Sequence, residues 1–129
     1  IQNILDLQIQ NAIYWIETLE TTELPQGKGK LGHQQVGFCC LGVGCHILDI
    51  AYNMTKDTTS KAFADSVGLI DIEGSALQKP SSYCLTALND TYQYSFQQIA
   101  QQLKTHPEYY FITPVAEGIA EHFNKKLTT

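Results

Sequence analysis

Four cysteines, Cys39, Cys40, Cys45 and Cys84, are the side chains of this 129-residue chain best suited to chemistry. A thiol attacks as its thiolate, and a helix N-terminus favours that form. Cys39 stands where the pattern starts a helix, after a glycine-rich stretch. Gln26 lies upstream in that stretch and could donate to an oxyanion. His33, His46, His106 and His122 are the available bases. One reading is therefore a cysteine-dependent hydrolase or transferase, with Cys39 as nucleophile and Gln26 beside it. It lacks a placed base, because no downstream strand bears a histidine in a recognisable context. The plainer reading is that the cysteines are reduced, buried small hydrophobes. Adjacent cysteines rarely bridge each other, since the geometry is strained. Cys40 and Cys45 have a zinc-like spacing with His46 alongside, but no second pair answers them. No metal and no cofactor are expected.

Other polar residues are candidates for binding. His46 and Asp49 are three apart on the helix that follows Cys39, so their side chains can touch at the surface. Asn89-Asp90 reads as a turn or helix C-cap. The alternative is that this pair points into a pocket beside Cys39 and Gln26. The candidate binding set is then Gln26, Gly27, Cys39, Cys40, His46, Asn89 and Asp90. Gly27-x-Gly29 is weak as a phosphate loop, because no Gly-Lys-Ser/Thr follows and no strand precedes it. Tyr109-Tyr110-Phe111 reads as an exposed loop for a partner contact or for stacking on a flat ligand.

These residues need elements to hold them. Leu5, Ile9, Ala12, Ile16 and Leu19 follow helical steps, and Tyr14 and Trp15 widen that apolar face, so residues 1–20 read as an amphipathic helix. Thr21, Thr22 and Pro25 end it. Residues 25–37 are a glycine-rich loop or loose hairpin. Residues 39–52 read as a central, mostly buried helix. Its one polar stripe, Gly42, His46, Asp49 and Asn53, is a narrow wet face or a pocket wall. Ser60 can cap a short helix through Val67, closed by Gly68 and Leu69. Residues 69–80 allow a short extended pair. Ser81 or Ser82 can cap a helix carrying Cys84, Leu85 and Leu88. Ser95 with Gln98 has capping-box spacing, and His106-Pro107 ends the helix they open. Thr113-Pro114 opens the last helix, with Ala116, Ile119, Ala120, Phe123 and Leu127 inward. The expected fold is mainly α: a single compact domain over residues 1–129 with about six helices and room for one small β-hairpin.

Composition narrows the partners. All eight basic residues are lysines, against 13 acids and a net charge of −5. Only 16% of residues are charged, well under the roughly 25% of an average domain. Twelve glutamines fill the gap. Without arginine, no bidentate clamp on phosphate or carboxylate can form. The scattered lysines argue against nucleic acid. An acidic DNA mimic needs a regular carboxylate array, which 13 acids offset by eight lysines do not supply. No run of about 18 apolar residues suggests a membrane span. No basic leader segment is visible, although a first residue other than Met leaves room for a removed one.

Three segments carry a resemblance: Gln26-Gly27-Lys28-Gly29-Lys30-Leu31, Phe38 to Cys45 with its Cys-Cys-Leu-Gly-Val core, and Leu88-Asn89-Asp90 followed by Ser95-Phe96-Gln97-Gln98-Ile99-Ala100. In this order, and with Trp15 in the first helix, the chain resembles a group of small uncharacterised phage and bacterial proteins over residues 15–103. The group usually has Cys-Asp where this chain has Cys45-His46. The resemblance implies a phage or mobile-element accessory protein in the bacterial host cytoplasm. It carries no activity with it. The leading reading is thus a non-enzymatic binding protein that takes a small molecule or a host protein, with counter-defence by sequestration as one such role. Association with a second copy of the chain is left open.

Overall fold

A computed structural model describes residues 3–27, 32–33, 37–50, 61–71, 74–76 and 84–128. The chain is mainly α. Among the described residues it has seven helices: α1 (Ile4–Thr21), α2 (Cys40–Ile47), α3 (Lys61–Val67), α4 (Leu85–Asp90), α5 (Phe96–Thr105), α6 (Pro107–Tyr110) and α7 (Thr113–Thr128). Two short strands, β1 (Gly32–His33) and β2 (Gly37–Phe38), pair antiparallel in the glycine-rich segment. Residues 53–59, the caps proposed at Ser60, Ser81 and Ser82, and Lys28 and Lys30 lie outside the described residues.

α1 is the hub. Asn3 caps it by accepting from Asp6 N at 2.8 Å, the usual use of asparagine at that position. Ala12, Trp15, Ile16 and Leu19 are fully buried, and Leu5 and Ile9 pack partly buried against the core. Tyr14, expected on the apolar face, is instead 51% exposed. Polar side chains of α1 hold α3: Gln8 and Asn11 donate to Asp65 O and Ser66 O at 2.8 and 3.1 Å. Those carbonyls belong to the last turn, which has no intrahelical donors. Trp15 reaches α2, where its indole N–H donates to Cys40 O at 3.0 Å. Its ring meets Phe63 edge-on at 5.1 Å.

α2 is shorter than the sequence pattern implies. It ends at Ile47, not at residue 52. Asp49 N donates to His46 O and Ile50 N to Cys45 O, with Asp49 at φ 57°. This is a Schellman closure with aspartate in the left-handed position usually held by glycine. The apolar residues Leu48 and Ile50 continue onto the core, so periodicity runs on after the helix has stopped. α3 closes in the same way through Gly68 (φ 74°), with Leu69 N donating to Ala64 O. Leu69 then pairs antiparallel with Phe111; of the segment expected to hold a short extended pair, residues 72–73 and 77–80 lie outside the described residues.

The second half follows its caps. Ser95 and Gln98 form the reciprocal capping box of α5, and Pro107 opens α6. Tyr109-Tyr110-Phe111 is not an exposed loop. Tyr110 ends α6 fully buried, and Phe111 is 2% exposed. Its Leu69 bridge and the T-shaped approach of Trp15 take it inward. Tyr109 stacks on His106 at 4.5 Å.

Candidate binding site

Asn89 is the one fully buried polar side chain among the described residues. It sits near the C-terminus of α4 and faces the start of α2. Its Oδ1 accepts from Gln26 Nε2 at 2.8 Å and from Cys40 N at 3.3 Å. Its Nδ2 donates to Gly27 O at 2.9 Å and to Asp90 Oδ1 at 2.7 Å. A primary amide has two donor hydrogens and two acceptor lone pairs, so all four are engaged. Cys40 N is an orphan donor of the first turn of α2. Asn89 thus caps a helix distant in sequence.

The loop carrying Gln26 is held by backbone. Phe38 N donates to Pro25 O at 2.7 Å and Gly27 N to Phe38 O at 2.8 Å. Gly37 (φ 92°) allows that approach, because a Cβ there would lie 2.6 Å from Gly27 N. Gln26 is exposed at the rim of the cluster. Its Nε2 also donates to Tyr94 O at 2.7 Å. Both amide hydrogens are therefore in use, and neither is left for an oxyanion.

Cys39 is the N-cap of α2, and its Sγ accepts from Gly42 N at 3.4 Å. Two effects oppose each other at this sulfur. Helix N–H groups of Gly42 and Leu41 favour the thiolate, while burial, Asp90 and Cys45 disfavour it. Burial is the largest, and the Cys39 thiol is pushed up to about 12. Burial likewise raises the Cys40 thiol well above its ordinary range, with Cys39 and Asp90 adding to it. All four cysteines are free, and Cys39, Cys40 and Cys45 are buried. Cys84 is the N-cap of α4.

The described histidine side chains lie elsewhere. His46 is exposed, with its ring 5.3 Å from that of Phe38. Its link to Asp49 is the backbone bond of the helix end, at 3.4 Å. His106 meets Tyr109 and Glu108. His122 Nε2 is buried without a partner among the described residues. No described histidine is hydrogen-bonded to Cys39. No group of three or more His, Cys, Asp or Glu among the described residues is placed to hold a metal ion.

The structure therefore joins Gln26, Gly27, Cys40, Asn89 and Asp90 in one hydrogen-bonded cluster and sets Cys39 at its edge. His46 lies beyond Phe38. The chain matches no protein-family model, no curated protein and no solved structure. Two concavities lie apart from the cluster. One, of about 570 Å³, lies between α5, α6 and α7; the other, of about 170 Å³, lies beside Ile4 and Leu7 of α1. The only sequence signal for the larger one was the His106-Pro107 break, which turns α6 back along α7. No helix of the described residues is long and apolar enough to cross a membrane.

Proposed function

We propose that this protein acts by binding rather than by catalysis, as a phage or mobile-element accessory protein that engages a small molecule or a host protein in the bacterial cytoplasm. The carrying observation is the saturation of the Asn89 cluster. All four hydrogen-bonding positions of the Asn89 amide and both N–H groups of Gln26 are used within the fold, which makes a preorganised surface and leaves neither amide as an oxyanion donor. Gln26, Asp90 and His46 offer the accessible edge, with Tyr92 of the adjoining turn 53% exposed. The contact chemistry is neutral and polar, in keeping with an arginine-free chain of net charge −5. The same reading predicts no appreciable affinity for nucleic acid. Cys39 as a nucleophile is the rival reading, and its raised thiol and the lack of a histidine partner among the described side chains weigh against it.

The thiols discriminate between the two. Native protein is treated with iodoacetamide at neutral pH, and the alkylated sites are read by mass spectrometry over time. Cys39 is expected to react far more slowly than in urea-unfolded protein. Faster alkylation of Cys39 in the native state than in the unfolded state would favour the nucleophile and defeat the binding reading. Small molecules that co-purify from host lysate and are lost in a His46→Glu, Asp90→Lys variant would identify the ligand and the face together.

A further inference from the structure

The groove between α5, α6 and α7 has a volume of about 570 Å³, inside the roughly 300–1,000 Å³ span of small-molecule sites. Pro107 and Phe123 give it an apolar lining. Lys104, Glu108 and Asn124 give it polar edges. The charges there do not cancel. The Lys104 ammonium lies 4.9 Å from the centre of the Phe123 ring and is ion-paired with Glu20, so its charge is already answered. The Glu108 carboxylate is 60% exposed, and its partner among the described residues is His106 Nδ1 at 3.4 Å, a long contact for a hydrogen bond. The C-terminus of α5, which adjoins the groove, adds partial negative charge. Among the described lining residues Glu108 is thus the carboxylate open to a further cation, above an apolar floor.

We propose that this groove binds a small organic amine, with its ammonium group on Glu108 and its apolar body against Pro107 and Phe123. The site is separate from the Asn89 cluster, and its test is separate from that of the cluster.

The test is a ¹H–¹⁵N NMR titration of the full chain with three matched compounds: 2-phenylethylammonium, 2-phenylethanol and 3-phenylpropionate. The amine is expected to give saturable shifts concentrated in residues 101–108 and 120–124. It should bind about two- to fivefold more tightly than the alcohol, the worth of one exposed ion pair. The carboxylate should be weakest. Glu108→Gln should bring the amine down to the alcohol's affinity and leave the alcohol unchanged. The amine-over-alcohol preference of the unaltered protein tests the same charge without any substitution. No saturable shift with the amine, shifts centred elsewhere, a carboxylate as tight as the amine, or an amine affinity indifferent to Glu108→Gln would each overturn the proposal.

Discussion

Asn89 shows how one amide can fix a local structure. Removing it takes the partner from Gly27 O and from Cys40 N, the latter at the buried start of α2, while Gln26 Nε2 keeps Tyr94 O. A buried group left unsatisfied costs about 1–3 kcal/mol. Asn89→Ala should therefore lower unfolding stability by roughly 2–4 kcal/mol, read by urea denaturation. A loss below about 1 kcal/mol would mean that solvent repairs the gap and the cluster is not closed. Cys39 supplies a pH test. In the unfolded chain its thiol ionises near pH 8.5, whereas in the fold the proton is held to about 12. A raised folded value favours the native state below the unfolded value, and that support is lost as pH climbs toward the folded one. Stability should thus fall from about pH 9 upward, with Cys39 contributing up to about 1.4 kcal/mol per pH unit. Cys39→Ala should make the alkaline slope shallower; an unchanged slope would show that the sulfur is not buried as a thiol. At this scale the sequence exposed the residue types but not their bonding. Gln26, Cys39 and Asn89 stood out because amides and thiols beside helix starts are versatile. Nothing in their identity decides whether an amide turns to a ligand or to another amide.

Helix ends were the most legible elements, and α2 marks where legibility stopped. Ser95 with Gln98, Gly68 after α3 and His106-Pro107 after α5 are stereochemical signals, and each corresponds to an observed boundary. The end of α2 used aspartate in the left-handed position, which composition does not announce, and the apolar spacing through Ile50 concealed it. Tyr109-Tyr110-Phe111 misled for a related reason: a run of large aromatics does not reveal which way a four-residue helix faces. Two substitutions test these elements. Ser95→Ala should cost about 1 kcal/mol through loss of the α5 cap, measured by thermal unfolding. Gly44→Ala sets two effects against each other. Helix propensity gains about 1 kcal/mol, but the new Cβ would lie 2.3 Å from the Phe63 ring and 3.1 Å from Trp15 Nε1. Overpacking of a rigid aromatic contact costs about 1–3 kcal/mol, so net destabilisation is expected. A variant as stable as the parent would show that Phe63 yields freely.

Across the whole molecule, side-chain amides make ties that ion pairs often make elsewhere. Gln8, Asn11, Gln26 and Gln102 link α1 to α3, the glycine-rich loop to α4, and α5 to α6. Lys104–Glu20 is a lysine–carboxylate pair that joins α5 to α1. Glutamine abundance, legible at once as low surface charge, is thus also a mode of assembly. Trp15, the sole tryptophan, is fully buried at the meeting of α1, α2 and α3. Its fluorescence and the helical circular dichroism should lose their native values in one coincident urea transition, as expected for a single cooperative domain. Two separated transitions would divide the chain into independent units.

The hub position of α1 has a consequence for biosynthesis. α1 is synthesised well before two of the helices that bury it, α5 and α7, which lie at least 75 residues later in the chain (Phe96 against Thr21). The apolar stripe through Ala12, Trp15, Ile16 and Leu19 must therefore wait, open to water, while the intervening chain is made. Such non-local closure slows folding and exposes surface that other chains can capture. Shielding of that stripe by a holdase over the interval is therefore expected to raise the yield of folded chain.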